Sequence, residues 1–226
     1  MIPPGRDASF VAAMEVVLDT YAEPADRRVP LVCFDESGKA LQAHARAPRP
    51  AQPGQPARED PEYVRHGSAN LFLSYAPHLG WRQVTVTAQR TAVDWALAMR
   101  DLVDTPQFAD AARIIVVLDN LNTHRLSSLY TAFPAPEARR IARKLELRFT
   151  PKHGSWLNMA ELELAVLGRQ CLDRRIPDQA TLATEVAAWA DARNAVAAPA
   201  QWTFTTEDAR TRLTHLYPIP VCDTSM

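Results

Sequence analysis

Cysteine is scarce in this sequence and shows no arrangement typical of a cross-linked or zinc-binding protein. The three cysteines, Cys33, Cys171 and Cys222, are odd in number, lie far apart and form no Cys-x-x-Cys or Cys/His pattern. Neither a disulfide framework nor a zinc site is therefore indicated. A reducing compartment, the cytoplasm, fits this cysteine usage best.

Long apolar runs and a strong net charge are also missing. The N-terminus has no charged segment followed by an apolar core, and no apolar run approaches the roughly 20 residues of a membrane span. The formal net charge is −1, whereas domains that bind phosphate backbones nonspecifically tend to be strongly basic. We expect a soluble, intracellular protein with no membrane partner, on which any surface for nucleic acid is a local patch.

The rest of the composition is that of a globular domain. The chain has 226 residues, of which 47% are hydrophobic, so it can bury a substantial core as one domain with appendages. Strand-like and helix-like patterns alternate along it, and the segments 69–75 and 81–87 suit an antiparallel hairpin. This order predicts an α/β fold with a mixed sheet flanked by helices. The predicted helices cover 9–22, 91–104, 123–132, 136–144, 156–172, 178–194 and 205–215, and the predicted strands 29–35, 69–75, 81–87, 113–118 and 145–150.

A segment of different composition lies between the first strand and the hairpin. From residue 44 to residue 67, five prolines alternate with four arginines, and few residues there could build a core. The pattern predicts an inserted, extended Pro/Arg-rich arm. The arm could lie along DNA or clasp a second subunit, and its three acidic residues weaken the DNA interpretation. The resulting plan is an N-terminal helix in 1–28 packing on the domain, the domain itself over 29–218 and a tail at 219–226.

Three acidic residues stand where strands end or a helix begins. Asp119 follows the apolar run 113–118, Asp35 follows the run 29–34, and Glu161 opens a helical segment. A β-branched run that ends in Asp indicates a buried strand with a carboxylate at the edge of the sheet. Taken singly, each acid is more often a cap or a salt-bridge partner, and only the set indicates function. Three carboxylates without a His or Cys cluster form a hard-oxygen site that selects Mg²⁺ or Mn²⁺.

The same residues carry a resemblance to a known family. Three motifs, Cys33-Phe34-Asp35-Glu36, the run 119–124 and the run 150–164, resemble those of the DDE catalytic domain of bacterial insertion-sequence transposases, of the insertion sequence 630 type, in the mariner superfamily. The resemblance covers residues 9–218 and implies a ribonuclease-H-like fold in a domain over 29–218. It further implies DNA cleavage and strand transfer with two Mg²⁺ or Mn²⁺ ions, held by Asp35, Asp119 and Glu161.

Other polar residues of the motifs have less certain roles. Glu163 rivals Glu161 as the third acid, because both lie near the borders of the apolar stripe of the helix; the motif favours Glu161, with Glu163 solvated or in a supporting position. His124 could orient a water or a phosphate, or simply pack or cap a helix. Glu36 points away from Asp35 if the strand persists, so a structural use is favoured. Further candidates for a supporting role are Asn120, His153 and Asn158, and Ser155 is a candidate helix N-cap.

A group of basic residues could neutralise DNA phosphates near the site. The alternative for such a run of charges is an ordinary solvated helix face. The residues are Arg139, Arg140, Arg143, Lys144, Arg148 and Lys152.

The sequence also departs from the family pattern. Full-length transposases of this type usually carry helix-turn-helix modules before the catalytic domain, whereas this chain starts almost at that domain. We therefore expect a homodimer on DNA whose end recognition comes from a separate polypeptide, or else a truncated remnant. The stretch 35–39 also differs from the basic and proline-containing stretch expected after the first acid. The competing functions are a nuclease that only hydrolyses and an inactive or domesticated domain that binds DNA or partner subunits.

Overall fold

A five-stranded mixed sheet forms the centre of the structure, a computed structural model that describes residues 5–219. The spatial order is β3-β2-β1-β4-β5, with β1 antiparallel to β2, β2 antiparallel to β3, and β4 parallel to both β1 and β5. The predicted mixed sheet and its hairpin are confirmed. Of the predicted tail at 219–226, all but Ile219 lies outside the described residues. The strands are β1 (Leu31–His44), β2 (Tyr63–Ala76), β3 (Trp81–Thr87), β4 (Ile114–Leu118) and β5 (Leu145–Phe149).

Helices cover both faces of the sheet. Because successive strand residues point to opposite faces, Val32 and Phe34 pack under α2, α3 and α4, whereas Leu31 and Cys33 pack under α1 and α5. The predicted flanking helices are confirmed. No helix in the described part of the chain is both long and apolar enough to cross a bilayer. The helices are α1 (Ala8–Ala22), α2 (Ala92–Asp104), α3 (Leu126–Ala132), α4 (Ala135–Lys144), α5 (Met159–Leu167), α6 (Gln179–Val196) and α7 (Thr206–Arg212).

The first strand is much longer than its apolar run. The expected end of this strand at residue 35 is wrong, since β1 continues to His44. The reason is pairing with β2, whose residues stand opposite β1 from Cys33 onward and include Asn70 opposite Gly38. A polar half-strand of this kind is held by its neighbour, not by its own hydrophobicity.

The proline-rich segment continues this strand pair outward. Two isolated antiparallel bridges, Arg49 with Arg58 and Gln52 with Gln55, lie beyond the ends of β1 and β2. At the base of the segment the guanidinium of Arg175 donates to the carbonyl oxygens of residues 61 and 62 and lies over the ring of Tyr63. The segment is therefore fastened to the domain where it leaves the sheet.

Side-chain caps fix where the helices begin. Thr91 and Asp94 form a capping box at α2. At α1 the cap is Asp7, whose carboxylate accepts hydrogen bonds from the backbone N–H groups of Ser9 and Phe10. The carboxylate of Asp7 thus satisfies the N–H groups that the helix itself leaves unpaired.

Candidate active site

Parallel pairing places two of the predicted acids side by side. Cys33 of β1 stands opposite Val117 of β4, and both belong to the core beneath α1 and α5. Continuing this register by two residues brings Asp35 opposite Asp119, the residue that follows β4. Adjacent strands lie about 4.8 Å apart, so two carboxylates from distant parts of the chain share one edge.

The third acid is brought in by the cap of α5. The side-chain oxygen of Asn158 accepts a hydrogen bond from the N–H of Ala160 (3.1 Å), and its amide nitrogen donates to the carbonyl oxygen of Phe34 (2.8 Å). This second bond ties the start of the helix to the residue before Asp35. Glu161 lies in the first turn, at the acidic position that a helix N-terminus favours. Ser155, the expected cap, instead begins a separate 3₁₀ turn at Ser155–Leu157.

The loop before this helix has little conformational choice. A Cβ atom at Gly154 would lie 2.5 Å from Cγ of Pro151, so only glycine fits there. His153 has a φ of 66°, a conformation that non-glycine residues seldom adopt. The hydroxyl of Tyr21 in α1 donates to the carbonyl oxygen of Leu157 (2.7 Å). The loop 150–158 therefore has a defined conformation, which sets the position of the helix that carries Glu161.

The carboxyl group of Asp35 lies in a buried environment surrounded by other acids. Burial raises the pKa of Asp35 to about 7, against a hydrogen bond from the N–H of Glu36 that lowers it. Repulsion from the carboxylates of Glu36, Glu161 and Asp119 raises this pKa further. Asp119 and Glu161 are thus near enough to Asp35 to raise its pKa, but within residues 5–219 the three acids do not form a group whose ligand atoms all lie within 4.8 Å of one another.

A buried histidine lies behind Asp119. His124 Nδ1 is 2.6 Å from Oδ1 of Asp119, and Nε2 is 3.1 Å from Oε2 of Glu36. The imidazole packs against the rings of Phe34 and Trp95. Burial lowers the pKa of His124, but hydrogen bonding to Asp119 and Glu36 outweighs it and raises this pKa to about 9. An imidazolium between two carboxylates is the result.

The orientation of Glu36 agrees with the prediction, but its contact with His124 was not predicted. It does point away from Asp35, as strand alternation predicts, and its side chain is only 2% exposed. The adjacent acids therefore serve opposite faces of the sheet. No local pattern indicates that His124, 88 positions later in the chain, lies on the face that Glu36 enters.

Two sets of side chains fit a cation to different degrees. Within residues 5–219, Glu36, Asp119 and His124 are the one group whose ligand atoms all lie within 4.8 Å of each other, a geometry that could bind a metal ion. The raised pKa of His124 keeps it protonated in the metal-free site, and an imidazolium has no lone pair for a metal. Its charge and the guanidinium of Arg90, 3.8 Å from Oε1 of Glu36, face the carboxylates of this group. The acids Asp35, Asp119 and Glu161 instead offer oxygen donors, which Mg²⁺ and Mn²⁺ prefer.

Glu163 has a different environment from Glu161. Its carboxylate lies 2.8 Å from Nε of Arg82 and 2.8 Å from Nε of Arg193. The side chain is 6% exposed, so the expectation of a solvated residue is wrong. Two positions along a helix correspond to a rotation of about 200°, which turns Glu163 toward β3 and α6 and away from Asp35.

The predicted DNA-contacting residues do not form one surface. Arg140 pairs with Glu137 and Asp104, Lys144 donates to carbonyl oxygens near the end of α2, and Arg148 pairs with Glu146. Helix α4 ends where β5 begins, one strand length or about 17 Å from the edge that carries the acids. Lys152 lies at that edge. Within the described chain, Arg139, Arg143 and Lys152 are exposed and have no side-chain partner, and Asn120 is likewise exposed beside Asp119.

Comparisons with known proteins agree with this architecture. Residues 30–183 match the family model described as DDE superfamily endonuclease. No curated protein matches the sequence significantly. Similar solved structures are a pre-cleavage Mos1 transpososome (15% identity, TM-score 0.57, covering 93% of this chain and 63% of that chain), a Mos1 transposase paired-end complex with left transposon end (16%, 0.56, 85% and 57%), and the catalytic domain of Mos1 mariner transposase (12%, 0.55, 85% and 86%).

These similarities confirm the predicted ribonuclease-H-like fold, through the match to the catalytic domain. At such identities the likeness concerns the fold alone. The chain spans less than two thirds of the length of the transposase chains in the two DNA-end complexes.

Replacing Glu163 should destabilise the protein far more than replacing Glu161. Removing one member of a buried ion pair leaves uncompensated charge, so we expect Glu163→Ala to lower the free energy of unfolding by about 3–5 kcal/mol. Glu161→Ala relieves repulsion at the metal-free site and should leave stability unchanged or slightly increased. Urea denaturation of both variants without metal tests this, and a larger loss for Glu161→Ala would contradict it.

Asp35 should make the metal-free protein less stable as the pH rises. Its pKa of about 7 exceeds the usual value, so the folded state binds the proton more tightly than the unfolded state. The stabilisation is fully present below about pH 4 and is lost as the pH rises through 7. We expect Asp35→Asn to be more stable than the wild type at pH 8, by roughly 1–2 kcal/mol. Denaturation with a chelator between pH 4 and 8 measures this, with exposed Asp110→Asn as control; parallel pH curves for Asp35→Asn and wild type would refute it.

Proposed function

The chain belongs to the DDE superfamily endonucleases, and from this we propose that it is a transposase catalytic domain that cleaves DNA at a transposon end and transfers the freed strand. The observation that supports the proposal is the placement of Asp35 on β1 and Asp119 directly after the neighbouring parallel strand β4, with Glu161 in the first turn of a helix whose cap, Asn158, bonds to β1. The similar Mos1 structures, which include a paired-end complex with left transposon end and a strand transfer complex, support DNA ends as the substrate. Membership of the insertion sequence 630 branch is part of the proposal.

The acids would hold Mg²⁺ or Mn²⁺, two ions in our proposal. When bound, the ions would activate the attacking water or 3′ hydroxyl and stabilise the leaving oxygen. The protein's own contribution would be to present three carboxyl groups to the cation. Asp35 resists ionisation because it is buried beside other acids. The same crowding of negative charge is what favours a divalent cation there.

Asp119 is held in place from behind. His124 contacts its buried Oδ1, while the side chain as a whole remains 35% exposed, so the second carboxylate oxygen is open toward the site. Glu36 holds the other nitrogen of His124. We assign His124 and Glu36 as positioning residues, which fix the orientation of Asp119 in the way that outer partners orient metal-binding carboxylates.

The proposal extends to partners and setting. The DNA partners would be transposon ends and target DNA, bound by a homodimer that pairs two ends. Recognition of the end sequence by a separate polypeptide remains a prediction. A DNA substrate is in keeping with the cytoplasmic location expected from the isolated cysteines.

A strand-transfer assay with Mn²⁺ and a pre-cleaved DNA end tests the function. We expect joined products with the wild type, and none with Asp35→Asn, Asp119→Asn or Glu161→Gln, because each change removes a ligand charge. Glu207→Gln, an exposed acid on α7, serves as the control and should join normally. Cleavage without joining would replace the proposal with a hydrolytic nuclease, and neither activity would favour a silent DNA-binding or oligomerisation domain.

The positioning role predicts a loss of metal affinity from residues that do not touch the metal. We expect Glu36→Gln and His124→Asn to weaken Mn²⁺ binding by about 10- to 100-fold, measured by electron paramagnetic resonance of free Mn²⁺. Glu146→Gln, on β5 and remote from the acids, should bind Mn²⁺ normally. Folded Glu36→Gln protein with wild-type affinity would show that Glu36 is structural only.

A further inference from the structure

A groove lies between the outer half of β1 and the face of α5 that carries Glu161. It has a volume of about 450 Å³. Its strand wall includes Ser37, Gly38 and Lys39, and its helix wall includes Ala165, Gly168 and Arg169. The function proposed above uses none of these residues.

Both walls lead away from the catalytic acids. Ser37 follows Asp35 by two positions and so shares its face of the strand. Ala165 lies one helical turn beyond Glu161, and Arg169 one turn further. The distance from Glu161 to Arg169 along the helix is about 12 Å, and that from Asp35 to Lys39 along the strand is about 13 Å. The groove is therefore a continuation of the site.

The chemistry of the groove suits an anionic chain. Arg169 is exposed and has no side-chain partner in the described structure. Lys39 donates to the carbonyl oxygens of Leu172 and Arg174 (2.5 and 3.0 Å). Asp173 is the one acid among the lining residues, so two cations face one carboxylate.

The helix wall also allows close approach. Added Cβ atoms at Gly38 and Gly168 would meet nothing within 4 Å. Gly168 begins a π-helical turn, Gly168–Leu172, an irregularity that often occurs at functional sites. The groove therefore has room for a DNA backbone beside the exposed guanidinium of Arg169.

We propose that this groove binds the sugar–phosphate backbone of the DNA strand that leads away from the scissile phosphate, with Arg169 on one of its phosphates. At 3.4 Å per nucleotide, 12 Å corresponds to about three or four nucleotides from the cleavage point. The contact is independent of base sequence. The inference rests on the proposed function for the position of the scissile phosphate.

The salt dependence of DNA binding tests the charge. With chelator present, so that no cleavage occurs, binding of a labelled, pre-cleaved DNA end is measured at several salt concentrations. Arg169→Ala should reduce the slope of log K against log salt by about 0.7–0.9, the value of one phosphate contact, and weaken binding equally for different sequences. Arg27→Ala, an equally exposed arginine at the amino end of β1 without a partner in the described structure, should change neither.

Filling the groove tests its occupation. Gly168 has helical angles (φ −51°, ψ −53°), so Gly168→Trp should fold with an unchanged melting temperature while weakening DNA binding at least tenfold. Ala183→Trp, on the exposed face of α6, is the control for a surface tryptophan.

The inference is overturned if wild type fails to bind DNA, or if Arg169→Ala keeps the full slope and folded Gly168→Trp binds normally. Binding that depends on Arg169 without any strand joining would support the groove and contradict the transposase function. If the wild type joins strands and both variants join them equally well, the transposase function is supported and the groove proposal is contradicted.

Discussion

The parallel pairing of β1 with β4 in one register is the constraint on which the site depends. With Cys33 opposite Val117, continuing the register by two residues places Asp35 opposite Asp119. A slip by one residue would separate this pair and turn the side chains of one strand to the opposite face. The buried residues of β4 on both faces enforce this register. The same strand register is thus required for packing the core and for placing the acids.

The sequence predicts the parts of the site that depend on local pattern. The apolar run before Asp119 shows a fully buried strand, and the run before Asp35 shows the start of another. The outer half of β1 escapes such reasoning, because its polar residues are held by hydrogen bonds to β2. The choice between Glu161 and Glu163 also depends on tertiary contacts: periodicity leaves both near one border, and only Arg82 and Arg193 from distant segments separate their roles.

The consecutive acids Asp35 and Glu36 show how one strand supplies two kinds of group. Asp35 faces α5 and the other candidate ligands, whereas Glu36 enters the opposite core and meets His124. The sequence indicates the divergence of the two side chains but not the partner of the second. Asn158 acts similarly at the helix, since its side chain both caps α5 and reaches the backbone of β1. A single side chain, that of Asn158, thus makes both a local cap and a contact with a distant strand.

The buried ion pairs of Glu163 have a further consequence for the helix that carries Glu161. They anchor its back to β3 and α6, while Asn158 anchors its start to β1. Sliding or turning the helix would strand a charge in the protein interior, so its orientation is preorganised. A cation arriving at the site would meet a carboxylate already in place, and the entropy lost on coordination would be correspondingly small.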